Sequence, residues 1–296
     1  MIYRVSHRTS YAYGSKVDLG AHMLHLLPRA MPRQRVISAA LNREPRPSDF
    51  RSGTDCFGNE VCWMFLDTPH ETFEVTLEAE VDVRPPAVPE AARTPAWEDV
   101  SRAAFAGGAA HAAAEFLFDS PMVAAIPEAR DYAAESFPPG RTVLEGVLDL
   151  NARIGRDFAF KGGVTTVNTP VRQVMAQRAG VCQDFSHLMI AGLRGLGLPA
   201  RYVSGYIQTK PPPGQARRRG ADQSHAWVAC WLGPEDGWVD VDPTNGIVVA
   251  DAHVVLGWGR DYGDVSPICG VILGGGKHTV AVSVDLEHVG KEDVLF

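Results

Sequence analysis

The chain has 296 residues, 45% of them hydrophobic, with a formal net charge of -7. Length and apolar content suffice for a sizeable core, held in one large domain or two ordinary ones. The acidic balance argues against nucleic acid or an anionic membrane surface as partner, and no apolar run approaches membrane-spanning length.

Residues 3–13 read as a strand. Residues 54–67 hold Gly58-Asn59 between apolar or aromatic flanks, a hairpin signal. Phe73, Val75, Leu77, Ala79, Val81 and Val83 alternate strictly with polar neighbours, which marks a strand with one buried and one wet face. These elements predict a β-sandwich over residues 1–85. Residues 86–140 read as a linker, rich in Pro at its start, followed by an Ala-rich helical connection over 103–134 broken at Pro121 and Pro127. The period then changes. Thr142-x-x-Glu145 is a capping box, and Leu144, Val147, Leu148, Asn151 and Ile154 share a helical face. Thr169-Pro170 opens a short helix toward Arg178 that Gly180 can end. A further helix begins at about Cys182 and stops at Gly197 and Pro199. Residues 201–207, 225–232 and 238–241 read as strands, the last two joined by a turn over 233–237. Val280, Val282, Val284 and Leu286 give one more strand. A core over residues 141–296, C-terminal strands included, is expected.

The five cysteines, Cys56, Cys62, Cys182, Cys230 and Cys269, include no Cys-x-x-Cys spacing, so neither a zinc knuckle nor a redox dithiol is signalled. No apolar signal segment precedes the first strand, so a cytoplasmic, reduced protein is expected. Cys182 would then be a free thiol at a helix start, where backbone N–H groups and the helix dipole stabilise a thiolate and can receive an oxyanion. His225 and the aspartates Asp240 and Asp242 follow in the order nucleophile, base, orienting acid. The hairpin turn brings an aspartate close to His225, and strand parity does not choose between the two. His187, five positions along the helix from Cys182, points away from the thiol and reads as a hydrogen-bonded core histidine. Cys56, Cys62, Cys230 and Cys269 read as packing residues. His22 and His25 could share a face but lack a third ligand, so no metal site is expected. The basic run Arg217-Arg218-Arg219 lies in a Pro/Gly-rich stretch that reads as a solvated loop, and residues 211–220 suggest a lid.

Gly180-Val181-Cys182-Gln183-Asp184-Phe185, Leu198-Pro199-Ala200-Arg201, Gly205-Tyr206, His225-Ala226-Trp227-Val228 and Trp238-x-x-x-Asp242-Pro243-Thr244 resemble the transglutaminase-like superfamily. The resemblance is closer to its bacterial members described as cysteine proteases with an extra N-terminal β region, and residues 259–267 resemble their C-terminal segment. It implies an α+β fold with a papain-like core, a nucleophile helix packed on an antiparallel sheet that carries histidine and aspartate. In the family the aspartate precedes Pro-Thr, which selects Asp242.

The expected activity is hydrolysis of an amide or peptide through a Cys182-His225-Asp242 triad and a thioester. Acyl transfer to an amine is the alternative, and a non-catalytic binding protein of the same fold is a second. Trp227 and Tyr206 are candidates to line the acyl groove, with core packing the competing role. No cofactor is required. The expected partner is a peptide or amide substrate, and the sequence specifies no oligomeric state.

Overall fold

Alternation in the first segment builds one very long strand, and everything N-terminal is organised on it. In the computed structural model, which describes residues 1–106, 111–208 and 223–290, β1 spans Ile2–Leu24. It is followed by β2 (Gln34–Glu44), β3 (Asp49–Thr54), β4 (Glu60–Leu66) and β5 (His70–Val83). Gly58, with φ of 73°, makes the turn between β3 and β4, in the left-handed region that a glycine adopts freely. The first half of β1 pairs with β5, and its last five residues pair with β4. A register shift between Ala12 and Val17 separates the two halves. Cys62, Met64 and Leu66 of β4 bury against Phe73 and Val75 of β5. The expected sandwich is therefore one hydrogen-bonded sheet folded on itself about β1.

The Ala-rich segment is less helical than its composition suggests. It contains α1 (Trp97–Ala104), α2 (His111–Ala114) and α3 (Pro127–Ala134), and a 3-10 turn over Glu115–Leu117 followed by irregular chain separates the last two. Pro127 starts α3 rather than breaking it, because the first position of a helix needs no amide hydrogen. These segments are more than a linker: Val100, Leu117, Ala129, Ala133 and Phe137 belong to the main core.

Next come α4 (Val143–Asp157), β6 (Ala159–Phe160), α5 (Val171–Gln177), β7 (Ala179–Gly180) and α6 (Cys182–Gly195). The Thr142 hydroxyl donates to the Glu145 carboxylate at 2.7 Å. α5 ends at Arg178, itself left-handed with φ of 52°, two residues before the expected glycine. Every residue of α6 from Asp184 to Arg194 is buried, as befits a helix enclosed on all sides. Gly197, with φ of 77°, lets the chain turn sharply out of it. The sheet under α6 has the order β11-β10-β9-β8-β12, all antiparallel. Its strands are β8 (Ala200–Ile207), β9 (Gln223–Trp231), β10 (Trp238–Asp242), β11 (Ile247–Val248) and β12 (His253–Gly259). Ala226, Val228, Cys230, Val239 and Val241 face the helices, and Trp227 and Ala229 face away.

The last two strands depart from expectation. β13 (Ile268–Gly274) and β14 (His278–Val289) both pair with β1. They complete the N-terminal sheet rather than the helix-covered core. Residues 211–220 and the Arg217-Arg218-Arg219 run lie outside the described residues.

Two side chains join the N-terminal region to the core sheet. Gln34 brackets Val255: its amide N–H donates to Val255 O at 2.7 Å and its Oε1 accepts from Val255 N–H at 2.8 Å. Asn59 brackets Trp258 in the same way, at 2.8 and 2.9 Å. Both carboxamides are fully buried, and each occupies the place of a neighbouring strand on the edge of β12. Gln34→Ala would leave the buried N–H of Val255 unpaired, while Val255 O keeps the Arg29 backbone N–H at 3.1 Å. Urea unfolding should then show a loss of about 1–3 kcal/mol, the cost of one orphaned group. A loss under about 0.5 kcal/mol would mean the bracket contributes nothing.

Candidate active site

Backbone pairing places Cys182. β7, immediately before it, runs parallel to β6, with Ala159 opposite Ala179 and Phe160 opposite Gly180. Val181 is extended, and the chain then turns directly into α6. Asp184 fixes that first turn. Its Oδ2 accepts from Val181 N–H and from the Thr165 hydroxyl, each at 2.7 Å. A Cβ on Gly180 would meet this carboxyl at 2.7 Å, so the position before Val181 has to be glycine. Burial raises the Asp184 carboxyl pKa, and these two donors oppose the rise. Gln183 Nε2 donates to Val167 O at 2.9 Å and ties the preceding loop to the helix start. Cys182 is half-buried at the first position of a 14-residue helix, where backbone N–H groups lack intrahelical acceptors.

His225 and Asp242 come from adjacent strands. β9 and β10 pair Ala229 with Asp240 and Val228 with Val241. His225–Asp242 and Trp227–Asp240 are therefore both diagonal pairs on one face, offset by the same two residues. His225 Nε2 meets Asp242 Oδ2 at 2.7 Å. Trp227 Nε1 donates to Asp240 Oδ2 at 3.2 Å, and Arg33 Nη2 donates to the same oxygen at 2.7 Å. Geometry thus separates the two aspartates that strand parity left equivalent.

Asp242 is fully buried. Its Oδ1 accepts from the backbone N–H of Thr244 at 2.9 Å and of Asn245 at 3.2 Å, and its Oδ2 accepts from Asn245 Nδ2 at 2.7 Å. Burial pushes the carboxyl pKa up, but the bonds from His225, His253 and Asn245 and the His225 charge hold it well below the usual range. His225 responds in the opposite sense. Burial alone would lower its pKa. The Asp242 bond, a hydrogen bond with the Cys182 thiol and the charges of both partners instead raise it to about 9. With Nε2 held by Asp242, Nδ1 is the ring nitrogen left for the thiol. The folding stability drawn from His225 is full below its ordinary 6.5 and is lost as pH rises through about 9. The Asp242 contribution is full above the ordinary 3.8 and is lost as pH falls below it.

Two family models match the chain: the bacterial transglutaminase-like N-terminal region over residues 3–82, and the transglutaminase-like superfamily core over residues 130–243. An uncharacterised protein of Mycobacterium tuberculosis is 40% identical over 288 residues, covering 96% of this chain and 92% of the relative. The chain belongs to the transglutaminase-like superfamily. A solved structure of a candidate cysteine protease from Cytophaga hutchinsonii shares its fold, with a TM-score of 0.74, 20% identity, and coverage of 100% of this chain and 94% of that one. A protein-glutamine gamma-glutamyltransferase of Pseudomonas aeruginosa is 41% identical over 68 residues, 23% of this chain and 10% of that protein.

Within this transglutaminase-like core the groove residues are placed differently from expectation. Trp227 and Tyr206 are both fully buried. Trp227 packs over Gly205, where a Cβ would come within 2.5 Å of its ring. The Tyr206 hydroxyl bonds His7 Nδ1 at 2.7 Å beneath the N-terminal sheet. Neither exposes surface to a substrate. His187 is buried and accepts from Tyr262 N–H at 3.2 Å. Burial lowers its pKa to about 4. His22 stacks on Phe73, and His25 Nδ1 meets Ser266 O at 3.2 Å. Of the other cysteines, Cys62 and Cys230 are core residues, Cys269 is half-buried, and Cys56 is exposed rather than packed.

His253 and Asn245 were not singled out by the sequence. His253 Nε2 approaches Asp242 Oδ2 at 3.4 Å, its ring meets Trp227 edge to face at 5.2 Å, and its buried Nδ1 has no partner among the described residues. His225, Asp242 and His253 place ligand atoms within 4.8 Å of one another. The 2.7 Å His225–Asp242 contact is nonetheless shorter than the separation of about 3.3 Å between two tetrahedral zinc ligands. The cluster is built as a hydrogen-bond array.

Asp242→Asn removes the charge that raises His225, whereas Asp240→Asn removes a contact to Trp227 and Arg33. An NMR titration should show the His225 pKa falling by about 1–3 units in the first variant and changing little in the second. Equal shifts would overturn the assignment of Asp242 as its partner.

Proposed function

We propose that the protein is a cysteine-dependent amide hydrolase acting on peptide or other amide substrates. The observation that carries this reading is a thiol at a helix start coupled to an imidazole whose Nε2 is held by a buried carboxylate.

The thiol proton passes to His225, giving a thiolate–imidazolium pair. Sγ attacks the amide carbonyl, and the negative charge moves to the carbonyl oxygen, which the backbone N–H of Cys182 can stabilise. As the C–N bond breaks, His225 gives its proton to the departing amine and a thioester remains. Neutral His225 then takes a proton from water. The resulting hydroxide attacks the thioester, the acid leaves, and the thiol is restored. Asp242 keeps the ring oriented and compensates its charge throughout. No cofactor enters this scheme.

A second reading replaces water by an amine in the last step and yields a new amide. It is favoured by the 68-residue stretch shared with the protein-glutamine gamma-glutamyltransferase. The same three residues serve both outcomes, and exclusion of water from the thioester decides between them.

A peptide library incubated with and without a primary amine should give free acids in both cases, by intact-protein and product mass spectrometry. Cys182→Ala should reduce turnover by about 10³-fold or more, as loss of a nucleophile does. Amine conjugates in place of acids would establish transfer, and turnover unchanged in Cys182→Ala would sink both readings. Activity should also fall as pH rises through about 9, because His225 must carry the proton it gives to the leaving amine. Alkylation of the thiol by iodoacetamide should persist there, since it needs no proton donor.

A further inference from the structure

A cavity of about 490 Å³ lies between the N-terminal sheet and the core, lined by His7, Thr9, Ser224, Tyr262, Val280 and Val282 among others. Two of its lining residues, Ser224 and Tyr262, are joined to elements that carry the candidate centre. Ser224 directly precedes His225. The N–H of Tyr262 is bonded to His187 of the nucleophile helix, and the Tyr262 ring is 6.3 Å from that of Tyr202. Tyr202 belongs to the core cluster against which both Cys182 and Tyr262 pack.

The chemistry of the lining is uniform. Among the described residues it includes no Asp, Glu, Lys or Arg. Its one imidazole is already committed: His7 Nδ1 bonds the Tyr206 hydroxyl at 2.7 Å and Nε2 bonds the Thr9 hydroxyl at 2.9 Å. Burial lowers the His7 pKa to about 4, so the ring is neutral at pH 7. A charged side chain entering this cavity would lose its hydration and meet no counter-charge, which is costly. An aliphatic or aromatic one would bury apolar surface against Val280 and Val282, which are 49% and 57% exposed.

We propose that this cavity is a specificity pocket that receives an uncharged, apolar substrate side chain close to the scissile amide. The inference rests on Cys182 being the nucleophile. It assigns the β13–β14 hairpin a function beyond completing the sheet, since β14 supplies the wall of the pocket.

The test uses peptidyl chloromethyl ketones that differ only in one side chain, Leu or Phe against Asp or Lys. The Cys182 thiolate displaces chloride from the methylene carbon and forms a C–S bond, so intact mass gives labelling rates without amide turnover. Wild type should label with the apolar reagents about tenfold or more faster than with the charged ones, the order expected of a hydrophobic pocket. Val282→Lys, on an exposed strand position, should lower the Leu-to-Asp rate ratio about tenfold by supplying a counter-charge. Val280→Lys is a second variant with the same expectation. Equal rates for all reagents in wild type, or an unchanged ratio in both variants, would overturn the pocket. Loss of the amide-hydrolase reading alone would appear differently: the labelling preference would remain while Cys182-dependent amide cleavage was absent.

Discussion

The arrangement turns on a carboxylate removed from water. Asp242 is fully enclosed, and an unpaired charge there would destabilise the fold severely. Four hydrogen bonds at 3.2 Å or less make it tolerable: two from the backbone after Pro243, one from Asn245 and one from His225. The backbone donors exist only because the chain turns sharply at the end of β10. The His225 bond exists only because β9 is held in register beside it. A demand for electrostatic compensation thus fixes the turn, the strand pairing and the state of the imidazole together, and through the imidazole it reaches the thiol.

The thiol is fixed by an independent set of constraints, all local. The parallel β6–β7 pair sets the approach, Gly180 leaves room for the Asp184 carboxyl, and that carboxyl ties Val181 to the first turn of α6. At its far end α6 is anchored by buried Arg194, whose guanidinium donates to the carbonyls of Phe116, Ala200 and Arg260. A helix clamped at both ends and buried all round leaves little freedom to its first residue. Ala226, Val228 and Val241 pack beneath α6, which seats the helix on β9, the strand that carries His225.

Much of this was legible in the sequence, for reasons that can be stated residue by residue. Strict alternation from Phe73 to Val83 marked a half-buried strand, and glycines and prolines marked the limits of α6. Motif chemistry singled out Cys182, His225 and, by family resemblance, Asp242. What escaped notice depends on long-range contact. The C-terminal strands carry the same alternation whichever sheet they join, so nothing local assigns Val284 and Leu286 to β1. Gln34 and Asn59 look like ordinary polar residues until a bare strand edge is placed against them. His253 lies eleven residues past Asp242 and is drawn to it only by the pairing of β12 with β8. Trp227 and Tyr206 sit beside functional motifs, and proximity in sequence suggested a groove. Gly205, whose missing side chain admits the indole, accounts for the burial of Trp227, and the N-terminal sheet covers Tyr206.

Asp240 and Asp242 show how two carboxylates two residues apart on one strand can meet different kinds of donor. Both point to the same face, and both reach diagonally across to β9 with the same offset. Their donors differ. Asp240 meets an indole N–H and the Arg33 guanidinium, groups that carry donors and no acceptor. That pair is a fixed tie between the N-terminal region and the core sheet. Asp242 meets an imidazole that changes protonation near pH 9 and whose second nitrogen is left for the Cys182 thiol. Of the two geometrically matched pairs, only the one containing histidine can pass a proton onward. Which aspartate holds the imidazole is therefore decided on β9, by which of the two His225 can reach.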